Sequence, residues 1–133
     1  MITGLAHVCF VVSDLEASIK FYTEVLGLTP AFDFTNEQGE RFGIYLHVGG
    51  RTFVELFQGD LASRAEKQSY QHFCLEVDDF DKTVEELRSR GAEVTDVKLG
   101  MDHSWQAWLA DPDGNRFELH GYTAESWQAP HLT

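Results

Sequence analysis

The most constraining feature of the chain is an internal repeat that places one histidine and one glutamate at matching positions in each half. The segment HVCFVVSDLEASI aligns with HFCLEVDDFDKTV at a constant offset of 65 residues. His7 precedes Glu55 by 48 residues, and His72 precedes Glu118 by 46. Self-similarity of this kind predicts two copies of one folding unit. One His and one Glu on an interior strand of each copy match the composition of a two-His, two-carboxylate metal site.

The predicted secondary structure is the same in both copies: one strand, one helix and three further strands. Ser13 and Glu16 are spaced as a capping box, and the first helix is expected to end near Leu26. Gly27 and Gly91 follow the two helices, where a left-handed residue commonly ends a helix. The remaining strands are predicted at 5–12, 29–34, 42–48 and 52–58 in the first copy and at 93–98, 105–110 and 115–122 in the second.

These elements predict the fold class α+β, with two tandem βαβββ modules in a single domain of 133 residues. Proline at the second position and glycine at the fourth of Asp111-Pro112-Asp113-Gly114 favour a type I turn between the last two strands. The predicted parts are module one at 1–58, a linker at 59–69, module two at 70–122 and a tail at 123–133.

Composition narrows the classes of partner. The chain has 22 acidic and 10 basic residues and a formal charge of −12, which argues against binding to nucleic acid or to an anionic membrane surface. The apolar run at the start of the sequence is too short for a signal peptide, so a cytoplasmic location is expected. Cys9 and Cys74 occupy equivalent positions, and small core residues are expected there rather than a disulfide.

The candidate metal ligands are His7, Glu55, His72 and Glu118. Because side chains alternate across a strand, each lies on one face among apolar neighbours. One such residue taken singly is usually a partly exposed strand residue, but four at repeated positions favour a metal site. An unpartnered carboxylate on a half-buried sheet is costly, and a metal ion neutralises it. Histidine nitrogen and carboxylate oxygen suit Ni²⁺, Co²⁺, Zn²⁺, Mn²⁺ or Fe²⁺.

Four motifs resemble those of the vicinal oxygen chelate superfamily, the group of glyoxalase I, bleomycin-resistance proteins and extradiol dioxygenases. They are HVCFVVSDLEASIKFYTEVLGL at 7–28, FVEL at 53–56, YQHFCLEVDD at 70–79 and DPDGNRFEL at 111–119. The resemblance implies that the two modules form a curved mixed sheet around a metal cavity. It also implies that His7, Glu55, His72 and Glu118 are the metal ligands.

Within that family, Glu is common at the second ligand position of glyoxalase I enzymes, so Glu55 favours a glyoxalase I-like lyase or isomerase. A small substrate with two adjacent oxygens would then chelate the metal and lose a proton to give an enediolate. Glu55 or Glu118 would take and return that proton. Glyoxalase I enzymes usually bind glutathione through a first-strand arginine, and Val11 stands at that position, so glutathione use is not implied.

Other members of the family provide alternatives. An Fe(II) extradiol-type dioxygenase would hold iron with His7, His72 and Glu118. A methylmalonyl-CoA epimerase-like enzyme matches NEQG and KLG, but it would have Gln at the position of Glu55. A bleomycin-resistance-like protein would bind a ligand without catalysis. Fosfomycin-resistance transferases share DPDG and the two histidines, but they need a basic anion pocket that the sequence does not indicate.

Several expectations concern residues around the ligands. His120 should face the same cavity as Glu118, as a substrate contact or as a partner of the ligand. Trp105 and Trp108 are three residues apart, so one of them at most lines the pocket. Arg41, Arg51 and Arg116 are the basic residues near predicted strand ends; one of them could hold an anionic substrate, but each is more typical of a surface cation. The resemblance further implies a small-molecule substrate and a homodimer, since some family members build each metal site from modules of two chains.

Overall fold

The computed structural model describes residues 1–63 and 68–132, and it divides into two compact units at residues 1–66 and 67–133. Each unit contains one of the predicted βαβββ modules. Residues 64–67 of the predicted linker and residue 133 of the predicted tail lie outside the described residues. Among the residues described, no helix is long and apolar enough to span a membrane.

Each module is one four-stranded mixed sheet with one main helix. Module one contains β1 (His7–Val12), α1 (Leu15–Lys20), β2 (Thr29–Thr35), β3 (Arg41–Gly49) and β4 (Thr52–Gln58). Module two contains β5 (Phe73–Glu76), α2 (Phe80–Ser89), β6 (Lys98–Leu99), β7 (Trp105–Ala110) and β8 (Arg116–Gly121), and a 3₁₀ helix follows at Ala129–His131. The strand orders are β1-β4-β3-β2 and β5-β8-β7-β6, with β1 parallel to β4 and β5 parallel to β8. The predicted fold class is confirmed.

An aspartate caps each helix, and in the first helix it stands in place of Ser13, which was predicted as the cap. Asp14 accepts a hydrogen bond from the backbone N–H of Ala17 at 3.0 Å, and its repeat equivalent Asp79 accepts one from Lys82 at 3.3 Å. The Ser13 capping box is wrong because the residue after it has the extended backbone that an N-cap requires.

The first helix ends close to the predicted position, but its last turn is π-helical, at Phe21–Val25. There the N–H of Leu26 donates to the carbonyl of Phe21, five residues earlier, at 3.0 Å. Gly27 has φ 78° and Gly91 has φ 91°, so the two predicted left-handed helix ends are confirmed.

Alternation along the strands divides each sheet into a core face and an opposite face, here called the site face. The buried core consists of Val12, Leu15, Tyr22, Ile44, Leu46, Val54 and Leu56 in module one and of Phe80, Val84, Leu87, Ala107, Leu109, Phe117 and Leu119 in module two. Burial of such a side chain stabilises the fold by about 1.5–3 kcal/mol, which fixes the register of each strand. Because Val54 and Leu56 enter the core, Glu55 lies on the site face. Glu118 is placed in the same way by its two neighbours.

The strand predicted at 93–98 is wrong in its bounds, because regular pairing begins only at Lys98. Thr95 Oγ1 accepts the backbone N–H of Trp108 at 2.9 Å, while the N–H of Thr95 donates to the Trp108 carbonyl at 3.0 Å. A side-chain oxygen therefore replaces a ladder carbonyl at this point. The hairpin prediction is confirmed, since Gly114 donates to the Asp111 carbonyl at 2.9 Å with φ 76°.

Candidate metal centre

In module one, His7 and Glu55 lie on the site face of two neighbouring parallel strands. The register places Cys9 opposite Glu55, so that His7 is two residues away along β1. Tyr45 pairs with Glu55 from the other side, on β3. Its hydroxyl lies 3.1 Å from His7 Nδ1, and the Glu55 carboxylate is near enough to raise its pKa. One tyrosine hydroxyl therefore connects the two candidate ligands of this module.

The Tyr45 contacts determine which nitrogen of His7 remains for a metal. Because an ionised carboxylate only accepts hydrogen bonds, a Tyr45 hydroxyl that directs its proton to Glu55 accepts from His7 Nδ1. In that arrangement His7 Nδ1 carries the ring proton. In a neutral imidazole this leaves the lone pair on Nε2, the form that coordinates a metal ion.

Desolvation and the Glu55 carboxylate raise the pKa of the Tyr45 phenol above its ordinary value. A raised pKa keeps the hydroxyl protonated at neutral pH. Tyr45 therefore keeps the proton with which it orients Glu55.

In module two, His72 and Glu118 are in direct contact. His72 lies just before β5, and its Nε2 is 3.4 Å from Glu118 Oε2. Two ligands about 2.1 Å from a tetrahedral ion lie about 3.4 Å apart, so these two atoms fit the separation of neighbouring ligands of one metal. The other oxygen of Glu118, Oε1, accepts a hydrogen bond from His120 Nδ1 at 3.0 Å. His120 is thus a partner of the candidate ligand, one of the two expected roles.

Glu118 is more buried than its counterpart in module one. It is 7% exposed, and His120 is 9% exposed. Trp108 meets His72 edge-on, with ring centroids 4.7 Å apart, and the Arg116 guanidinium lies 4.1 Å from the centre of the indole. A buried carboxylate requires compensating partners, and histidines contact both of its oxygens.

The two cysteines lie beside the candidate carboxylates and outside the core. Both thiols are free and solvent-accessible, so the prediction of core residues is wrong, because β1 and β5 turn these positions to the site face. Desolvation, followed by Glu55, raises the pKa of Cys9 to about 11; desolvation, followed by Glu118, raises that of Cys74 to about 12. Cys74, Glu118 and His120 bring ligand atoms within 4.8 Å of one another. The protonated thiol is the weakest donor of that group.

The site face of module two also contains a basic cavity. A cavity of about 390 Å³ is lined by Thr95, Asp96, Lys98, Gln106, Trp108 and Arg116. Trp108 pairs with Glu118 in the sheet, so the cavity adjoins the candidate ligands. Lys98 and Arg116 bring two positive charges to its lining and Asp96 one negative charge, so a pocket with a net basic lining, which the sequence did not indicate, lies beside the candidate ligands. Sequence reasoning missed Lys98 because the shortened strand β6 positions it.

One further residue of the site, Tyr45, was not singled out from the sequence. Tyr45 and Trp108 occupy equivalent positions in the repeat, each opposite the candidate carboxylate of its module. That equivalence is the signal by which Tyr45 could have been found. Gln58 has a structural role: its Oε1 accepts the N–H of Leu15 at 2.8 Å, and its Nε2 donates to the Ser13 carbonyl at 2.7 Å.

Comparison with known proteins agrees with this arrangement. The model of the Glyoxalase/Bleomycin resistance protein/Dioxygenase superfamily matches residues 4–119. Lactoylglutathione lyase GLX1 of Arabidopsis thaliana is 34% identical over 121 residues, which cover 85% of this chain and 42% of that protein. The chain therefore spans less than half the length of this plant relative.

Two other similar proteins are comparable in length to this chain. Metallothiol transferase FosB of Staphylococcus epidermidis is 31% identical over an alignment of 137 positions, covering 90% of this chain and 82% of that protein. The crystal structure of TnmS3, an antibiotic binding protein from Streptomyces sp. CB03234, superposes with a TM-score of 0.73 at 28% identity. That match covers 92% of this chain and 98% of the other.

Proposed function

Because the chain belongs to the Glyoxalase/Bleomycin resistance protein/Dioxygenase superfamily, we propose that it is a divalent-metal-dependent enzyme of the glyoxalase I type. It acts as a lyase or isomerase on a small α-oxygenated substrate. The observation that carries this proposal is the pair of one His and one Glu on the site face of each module. Each pair is held by side chains that orient the candidate ligand atoms.

The proposed metal ligands are His7, Glu55, His72 and Glu118. The donor chemistry fits the group, since His7 keeps Nε2 for a metal and His72 Nε2 faces Glu118 Oε2 at 3.4 Å. A bound divalent ion would supply Lewis-acid polarisation of the substrate oxygens and would acidify the neighbouring C–H.

Glu55 is the better candidate for the base that moves a proton between substrate carbons. Glu118 is nearly buried, and contacts to His72 and His120 restrain both of its oxygens. Glu55 is half-buried and is held by the neutral Tyr45 hydroxyl and Cys9 thiol. Glu55 is also more exposed than Glu118, so it is freer to approach the substrate.

The basic cavity supports a substrate that carries an anionic group. Lys98 and Arg116 are its two cationic lining residues, in a chain with a formal charge of −12. Cations retained beside a site in such an acidic protein favour an anionic ligand over a neutral one. The same cavity supports a second candidate function, a thiol transfer of the kind named for the metallothiol transferase relative.

Substrate turnover by the metal-loaded protein tests the proposal. Hemithioacetals made from several thiols and small α-hydroxy carbonyl acids would be offered to protein loaded with Ni²⁺, Co²⁺, Zn²⁺ or Mn²⁺. Proton exchange at the substrate carbon would be followed by NMR in deuterated water. We expect exchange that is lost in Glu55→Gln and retained in Glu40→Gln, an exposed glutamate in the β2–β3 turn.

Three results would contradict the glyoxalase assignment. Oxygen consumption with a catechol by iron-loaded protein would identify a dioxygenase. Addition of a thiol to fosfomycin would identify a transferase. Tight ligand binding without exchange under every metal would leave a binding protein like the antibiotic binding relative.

A further inference from the structure

The C-terminal tail, residues 123–132, packs against the turn that precedes β7 in the same module. The N–H of Trp127 donates to the Asp102 carbonyl at 2.9 Å. The hydroxyls of Ser126 and Ser104 lie 2.8 Å apart, and the two serines are 3% and 0% exposed. A buried hydroxyl pair of this kind helps to fix the tail to the turn, because breaking a buried hydrogen bond is costly.

The tail also supports a strained residue in that turn. His103 has φ 62°, in the left-handed region that is strained for a residue other than glycine. Its carbonyl accepts hydrogen bonds from Thr123 Oγ1 at 2.8 Å and from Ser126 Oγ at 3.2 Å. Both donors belong to the tail. The contacts offset the strain and thereby set the direction of the neighbouring Asp102.

Asp102 is the point at which the tail reaches the candidate metal centre. Gln128 Nε2 donates to Asp102 Oδ2 at 2.6 Å, and the N–H of Ser104 donates to Asp102 Oδ1 at 3.2 Å. The hydrogen bond from Gln128 is the main cause of a lowered pKa of Asp102, which keeps this carboxylate ionised. Its Oδ2 lies 3.7 Å from His120 Nε2. That distance is too long for a hydrogen bond, so this contact is electrostatic.

His120 connects Asp102 to Glu118. Its Nε2 is buried and has no hydrogen-bond partner within residues 1–63 and 68–132, while its Nδ1 lies 3.0 Å from Glu118 Oε1. Since an ionised carboxylate only accepts, Nδ1 carries the proton and donates it. Rotation of the ring would break this bond, and the Asp102 carboxylate, 3.7 Å from Nε2, bounds the ring on that side and leaves little room for such rotation.

We propose that the tail acts through Gln128, Asp102 and His120 to position Glu118 for metal binding. His120 holds Oε1, which leaves Oε2 beside His72 for the ion. His120 is a positioning residue and contacts neither metal nor substrate. This inference rests on the proposed function, since it requires Glu118 to be a metal ligand. Partners of this kind usually change metal affinity by about 10- to 100-fold.

Metal affinity of the full chain tests the inference, measured by competition with a chromogenic chelator for Zn²⁺ and from the visible spectrum for Co²⁺. His120→Phe removes both ring nitrogens, and we expect binding about 10- to 100-fold weaker with a changed Co²⁺ spectrum. His120→Asn places an amide nitrogen on the same γ-carbon as Nδ1. We expect it to restore most of the affinity, which a role in packing alone would not produce.

The contribution of the tail is tested by Gln128→Ala, for which we expect a smaller loss of metal affinity, of up to about 10-fold. Its matched control is Gln71→Ala, whose amide donates to the Gln68 carbonyl at 2.9 Å elsewhere in module two. The control should bind as wild type. Thermal unfolding of the metal-free variants separates a loss of affinity from a loss of fold.

Three outcomes would overturn the inference. His120→Phe with wild-type affinity would show that Glu118 needs no positioning. His120→Asn as weak as His120→Phe would show that His120 serves as a ligand or as packing. Equal losses of metal affinity in Gln128→Ala and Gln71→Ala would show that the tail does not help to position Glu118. Wild-type protein that binds neither Zn²⁺ nor Co²⁺ would instead contradict the proposed function, and with it this inference.

Discussion

In module one the hydroxyl of Tyr45 contacts both His7 and Glu55, whereas at the equivalent position of module two Trp108 contacts His72 only with its ring. The carboxylate of module two obtains its hydrogen bond elsewhere, from His120 two residues along the same strand. Phe57 and His120 are equivalents in the repeat, and only the histidine can donate. The two modules thus keep the His and Glu at the same strand positions and support them with different side chains.

This difference shows that the two copies of a repeat can give equivalent residues different surroundings. Glu118 is 7% exposed and in contact with two histidines, while Glu55 is half-buried and held by neutral groups. The backbone repeat determines where the four candidate ligands lie. The surrounding side chains decide which carboxylate is fixed and which can move.

The largest expected effect concerns the two thiols, whose pKa values are raised beside the candidate carboxylates although both side chains are exposed. In metal-free protein, Cys9 with a pKa of about 11 and Cys74 with one of about 12 have about 100-fold and 1000-fold less thiolate at pH 8 than a thiol at the ordinary 9.0. Alkylation of both thiols should therefore be slow, and that of Cys74 slower than that of Cys9. The rates would be measured in the single-cysteine proteins Cys74→Ser and Cys9→Ser.

The same pKa values predict how stability depends on pH. Both are raised on folding, so the stability gained from protonated thiols is complete below about pH 9 and is lost as the pH rises through 11 and 12. Chemical denaturation of metal-free wild type and of the double serine variant between pH 8 and pH 11 checks this. Rapid alkylation of either thiol at neutral pH would contradict the account.

The next largest expected effect tests the difference between Tyr45 and Trp108. Tyr45→Phe keeps the ring and removes the hydroxyl that orients His7 and Glu55, so metal affinity should fall by about 10- to 100-fold. Trp108→Phe keeps an aromatic contact to His72 and should bind metal nearly as wild type. Calorimetric titration with Zn²⁺ measures both. Equal losses would mean that the hydroxyl has no special role in module one.

The smallest effect concerns a feature that the two modules share. Asp14→Ala and Asp79→Ala each remove an N-cap and should lower the free energy of unfolding by about 1 kcal/mol. Glu37→Ala, in an exposed turn, is the matched acidic control and should leave it unchanged. Urea unfolding gives the values. A loss in one helix only would show that the modules differ in their helices as well as at their sites.

Strand periodicity and the repeat were enough to predict the fold class and the face on which each candidate ligand lies. Val54 and Leu56 determine the face of Glu55 by simple alternation, and the helix ends at Gly27 and Gly91 follow from local backbone geometry. Such features depend on neighbours in sequence, so a sequence contains them directly.

The supporting contacts could not be predicted because they join residues far apart in the chain. Asp102 meets Gln128 through a turn whose shape depends on the positive φ of His103. Lys98 reaches the basic cavity only because Thr95 interrupts the preceding strand with its side chain. Tertiary hydrogen bonds of this kind override local pattern, and no spacing rule indicates them.

The most direct test of the central claim is the metal content and Zn²⁺ affinity of wild type, His7→Ala and His72→Ala, with His47→Ala as control. His47 Nε2 forms a hydrogen bond with the Gly50 carbonyl at 3.0 Å, and His47 is not a proposed ligand. We predict one tightly bound divalent ion per chain in wild type and in the control, and a loss of more than about 100-fold in affinity in each of the other two. Wild-type affinity in either ligand variant, or no binding by wild type, would contradict the assignment of His7 and His72 as metal ligands.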